Sequence, residues 1–91
     1  MSYQFRQFHI TDHMLESLDQ YVEQGVPPGG FLYAVLSNDF KGAAGRADDE
    51  NLANLPAYAA WLYNEAPSPC QGSKEAVEKW LAMHAQRREA A

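Results

Sequence analysis

The chain is poor in the residues that most specific chemistries require. It holds one cysteine, Cys70, so no internal disulfide can form. Seven Lys and Arg stand against twelve Asp and Glu, a net charge of −5. That is the opposite of the basic footprint needed to bind a phosphate backbone, and direct nucleic-acid binding is not expected. No run of ~18 apolar residues and no basic-then-apolar leader is present, so neither a membrane partner nor secretion is expected and the location implied is the cytoplasm. Repeats and low-complexity tracts are also missing. Ninety-one residues suffice for one domain, 1–91, whose modest core buries ~60–65% of the unfolded chain's surface.

What is present is helical patterning. Residues 1–10 carry Tyr3, Phe5, Phe8 and Ile10 without a clean helical or alternating period, and read as an extended arm resting on its own core or on a second copy. Thr11 is an N-cap candidate whose hydroxyl would accept from an orphan N–H, and a first helix is predicted from about 12 to 24. Met14, Leu15, Leu18, Tyr21 and Val22 share one face of it, and Asp12, Glu16, Asp19 and Glu23 the other. Gly25 is the expected stop. Pro27 and Pro28 then force an extended bridge, and Gly29-Gly30 let the chain turn into a second helix from Phe31 to about 44, weakened by Gly42 and Gly45.

Asp48 or Asp49 caps a third helix, in which Leu52, Leu55, Ala59, Leu62 and Ala66 follow a three-four repeat towards Pro67. Pro56 interrupts it, so either 49–54 is a separate turn or the helix is kinked. After the loop "APSPCQG", Ser73 caps a last helix with Val77, Trp80, Leu81 and His84 on one face. Lys74 with Glu78 and Glu75 with Lys79 form four-apart pairs, and residues 86–91 are expected to fray. The fold class implied is all-α, a small bundle of three to four short helices with an extended N-terminal arm.

At "PPGGFLYAVLSNDF", "GRADDEN" and "WLYNEAPSPCQGS" the chain resembles a family of small uncharacterised proteins encoded in tailed phages and prophages. The likeness covers about residues 26–81. It implies a genomic setting, that of a phage accessory protein in a bacterial host cell, and no activity. An aromatic residue often precedes the family's Gly-Ser, and Gln71 stands there in this chain, before Gly72-Ser73.

Each candidate site has a plain structural reading beside it. His9, Asp12 and His13 have a spacing that could serve a metal, but Thr11 places His9 outside the helix and solvent-exposed side chains are the better reading. No metal, cofactor or catalytic residue is assigned. Cys70 follows Pro67 and Pro69 with no histidine near it in sequence, and His84 sits at the edge of the core stripe. On a continuous second helix Asp39 falls within the apolar arc, so it must either cap another element or accept from Tyr or Trp; alternatively, Asn38 and Asp39 form a polar recognition point for a partner. The acids Asp12, Glu16, Asp19 and Glu23 form a stripe with no Lys or Arg anywhere from 11 to 40, which suits a basic partner as well as solvent. Trp61 projects away from the stripe of the third helix, so a second copy, a host protein or the arm must cover it. The leading expectation is therefore non-catalytic binding of a host or phage protein, with homodimerisation. The alternative is an oligomeric binder of a small ligand such as a nucleotide signal, using Gly29, Gly30 and Tyr33, although the segment lacks the Lys and Ser/Thr of a phosphate-binding loop.

Overall fold

A computed structural model describes residues 3–90. Residues 3–10 of the expected arm are a β-hairpin: β1 (Tyr3–Phe5) pairs antiparallel with β2 (Phe8–Ile10) in the register Tyr3 with Ile10, Gln4 with His9 and Phe5 with Phe8; residues 1 and 2 lie outside the described residues. Cross-strand partners share a face, and so do residues two apart, so all four apolar side chains lie on one side of the hairpin. The two-residue turn at Arg6-Gln7 shifts the phase of alternation by one, which is why no continuous period is legible across it. Arg6 takes φ 56°, an uncommon conformation for a residue with a Cβ, and its guanidinium sits 5.1 Å over the Phe5 ring.

Six helices follow among the described residues, where three or four were expected. The first, α1 (Asp12–Gln24), has the predicted bounds; Gly25 ends it at φ 68°, in the left-handed region. Thr11 occupies the N-cap position, but its hydroxyl makes no capping bond. The predicted second helix is two: α2 (Gly30–Leu36) and α3 (Phe40–Arg46). Asn38 takes φ 61°, Asp39 N donates to Ala34 O at 2.9 Å, and Asn38 N donates to Val35 O at 3.2 Å. That pattern is a Schellman stop with Asn in the left-handed position. Asp39 then caps α3, its Oδ1 accepting from Gly42 N at 2.9 Å. Asp39 is exposed, so the burial inferred from a continuous helix is corrected, while the capping role is observed.

Pro56 resolves the third helix the same way. It stands in the first turn of α5 (Leu55–Asn64), where its missing N–H is harmless, and α4 (Asp49–Ala53) is a separate turn capped by Asp48. Asn54 joins them: its Nδ2 donates to Glu50 O and its Oδ1 accepts from His9 N, pinning the hairpin to the joint. After the 3-10 turn Ser68–Cys70, Ser73 Oγ accepts from Ala76 N at 3.0 Å and caps α6 (Lys74–Ala90). α6 is helical to Ala90, through the segment expected to fray, and Arg88 donates to Gln24 O across to α1. Ala91 lies outside the described residues. Of the two pairs predicted on α6, Glu75–Lys79 forms at 3.1 Å, whereas Glu78 instead accepts from the Tyr33 hydroxyl.

The core is one cluster around Ile10, Leu18, Tyr21, Leu36, Tyr58, Trp61, Cys70 and Val77. Tyr21 links three elements: its hydroxyl donates to Cys70 O at 2.7 Å, and its carbonyl accepts from Trp80 Nε1 at 3.1 Å. Gly72 N donates to Leu36 O and fastens the last loop to the end of α2. The hairpin packs along α5.

Candidate functional site

Short helices separated by tight stops cannot close over one another completely, and here they leave a groove. The break at Ser37–Asp39 sets α3 at an angle to α2, and the sides of both that carry Ala34, Val35, Phe40 and Ala43 face Leu55, Ala59 and Leu62 of α5 across about 300 Å³. The lining is almost entirely apolar, with Asn38 and Asp39 as its polar corner. Phe40 stands at the lip with 74% of its surface exposed. A phenyl ring left in water forgoes a large burial, on the order of 2 kcal/mol.

The stripe Leu55, Ala59, Leu62, expected in the core, is therefore the wall of an open groove: Ala59 is exposed and its two neighbours are half-buried. The side carrying Ala57, Ala60 and Trp61 is the closed one, and Trp61 is 4% exposed. The angular reading separated the two sides correctly and assigned their burial the wrong way round. The reason is the hairpin: it lies along α5 and supplies Phe5, Phe8 and Ile10 to the core, so α5 is covered on the side that a bundle of helices alone would leave bare. Trp61 is therefore covered within its own chain and needs no second copy to bury it.

Asn38 and Asp39, singled out together from the sequence, do come together at one mouth. The acids do not join them by any observed contact. Glu16, Asp19 and Glu23 are exposed on α1, Gln20 Nε2 reaches Glu16 Oε1 at 3.4 Å, and Asp12 is also exposed. Gly30 and Tyr33 line a separate polar pocket with Ser37, Arg46 and Lys74; Gly29 does not. Phe40, Leu55 and Leu62 were not read as site residues. The signal that could have found them is Ser37-Asn38-Asp39, a left-handed residue followed by a cap, which breaks the helix and turns Phe40 outward.

No group of three His, Cys, Asp or Glu among the described residues is arranged to hold a metal ion; His9 turns instead to Glu50, Nε2 to Oε2 3.6 Å. No helix of the described residues is long and apolar enough to cross a membrane. Cys70 is fully buried, and burial pushes its thiol up to about 11. The thiolate is the reactive form, so labelling of Cys70 by a disulfide reagent at pH 8 is expected to run at least ~100-fold slower in the native protein than in urea. Equal rates in the two states would show that the thiol is accessible and ionised.

Compared with known proteins, the chain matches no family model, no curated protein and no solved structure. The site must therefore be read from its own geometry.

Proposed function

We propose that this chain is a non-catalytic binding protein that holds an apolar, basic-flanked segment of another protein in the groove between α2, α3 and α5. The observation that carries the reading is the groove itself, apolar along its length, with Phe40 exposed at the lip and the Asp39 carboxylate at the corner. An amphipathic helix presenting aliphatic residues one turn apart suits such a surface. Its chemistry follows from charge: the corner is an exposed carboxylate on a protein of net charge −5, so a lysine or arginine beside the apolar anchors is favoured and an acidic flank is repelled. The resemblance to tailed-phage and prophage proteins gives this activity a setting, that of an accessory protein acting on a host or phage protein in the bacterial cytoplasm. Homodimerisation belongs to the same proposal only through the groove, with Phe40 of one copy seated in the other.

A labelled helical peptide with leucines four apart and a flanking lysine tests the reading by fluorescence polarisation. Saturable binding is expected, weakened about tenfold or more by Ala59→Arg, which fills the groove from an exposed position, and by changing the peptide's lysine to glutamate. No saturable binding, or binding indifferent to Ala59→Arg, would overturn it. Light scattering at high concentration decides self-association: a dimer lost on Phe40→Ser supports it, and a persistent monomer removes it.

A further inference from the structure

A second pocket, on the other side of Asp39 from the groove, has a different chemistry. It is lined by Gly30, Tyr33 and Ser37 of the α2 segment, Asp39 and Arg46 of α3, and Lys74 of α6, around about 350 Å³. Arg46 and Lys74 reach it from elements far apart in sequence, in a chain with only seven basic residues. Among the described residues no carboxylate forms an ion pair with either. Arg46 makes one long bond, Nη1 to Gly42 O at 3.5 Å, and its stem runs past Gly30, where a Cβ would come 3.3 Å from Cδ. Ser37 also lines the pocket, but its hydroxyl is out of contact with solvent, so a ligand meets the rest of that residue and not its oxygen.

From these groups we infer a binding site for a small phosphate monoester that also carries hydroxyl groups, such as a sugar phosphate. Arg46 and Lys74 bring two positive charges to the pocket against the one Asp39 carboxylate, so its lining is net positive. The Arg46 guanidinium offers a planar fork to phosphate oxygens and the Lys74 ammonium a point charge. Asp39 gives the site its direction: one of its oxygens is engaged by Gly42 N, and the carboxylate as a whole repels a second anionic group while accepting from a sugar hydroxyl. Glu78, held by the Tyr33 hydroxyl beside the pocket, adds to that repulsion, so bisphosphates are excluded. The volume lies in the range of small-molecule sites. This inference does not depend on the groove.

Backbone amide shifts in a titration with glucose 6-phosphate test it. Saturable shifts at Gly30, Ser37, Arg46 and Lys74 are expected at millimolar concentrations, with none for glucose and much weaker binding of fructose 1,6-bisphosphate. Arg46→Gln and Lys74→Gln, both at exposed side chains, are each expected to weaken binding about tenfold or more while helical circular dichroism stays unchanged. Asp39→Asn keeps the helix cap and is expected to weaken glucose 6-phosphate but not inorganic phosphate. The inference is overturned by the absence of saturable shifts, by shifts indifferent to both cation variants, or by equal affinity for glucose 6-phosphate and inorganic phosphate. Ala59 lines the groove and not the pocket, whereas Arg46 and Lys74 line the pocket and not the groove, so Ala59→Arg tests the one and the two cation variants the other; Asp39 borders both.

Discussion

Trp61→Ala is expected to destabilise the protein by about 3–5 kcal/mol, the cost of removing a buried indole and leaving a cavity. Trp61 is 4% exposed and lies in the same cluster as Tyr21, Tyr58 and Val77, so its loss opens the core where α5 meets the rest of the molecule. Stability totals for domains of this size are about 5–15 kcal/mol, so the variant keeps a small margin or none. In thermal denaturation followed by circular dichroism the midpoint is expected to fall by at least about 12 °C. The oligomeric state measured alongside is expected to be that of the wild type. A loss below about 1 kcal/mol together with altered association would identify Trp61 as an interface residue and contradict the packing described above.

Gly25→Ala is expected to cost about 2–5 kcal/mol, from two additive causes. Gly25 closes α1 at φ 68°, which disfavours any side chain, and a Cβ there would lie 2.2 Å from His84 Cβ. The atom it meets is the first of its side chain and cannot rotate away, so α1 and α6 would have to separate. That separation would strain the Trp80 Nε1 bond to Tyr21 O and the Arg88 bond to Gln24 O, which tie the same two helices. Chemical denaturation of Gly25→Ala, His84→Gly and the double variant measures the steric part: the double variant is expected to be more stable than the sum of the single losses by over 1 kcal/mol. Strict additivity would assign the whole cost to the backbone angle. Gly45→Ala is the control, since a Cβ there meets nothing within 4 Å in the last turn of α3 and a slight gain is expected.

Legibility in this chain follows the range of the interaction concerned. The bounds of α1, its stop at Gly25 and the cap at Ser73 were readable because each depends on residues within about four positions. The inward faces of α1 and α6 were readable for the same reason, with Leu18, Tyr21, Val77 and His84 buried as spaced. The break between α2 and α3 is also local, but Asn38 and Asp39 compete there with an apolar repeat that runs through them and masks the stop. In the folded chain the stop prevails: a Schellman pair and a capped N–H replace the intrahelical bonds that ending the helix gives up.

The candidate sites depended on interactions the sequence order does not display. Asn38 and Asp39 were recognisable as a pair, yet the groove they border needs α5 to lie opposite, and the pocket beyond needs Lys74 to arrive beside Arg46. The sequence by itself determined the bounds of α1, the start of α6 and which helix faces are apolar, because capping and angular spacing are properties of adjacent residues. Only the tertiary structure decided which apolar face of α5 is buried. A helix with two apolar sides is indifferent until a neighbour commits to one of them, and here the neighbour is a hairpin some fifty residues upstream, held in place by the His9 N bond to Asn54 and by its own one-sided apolar face.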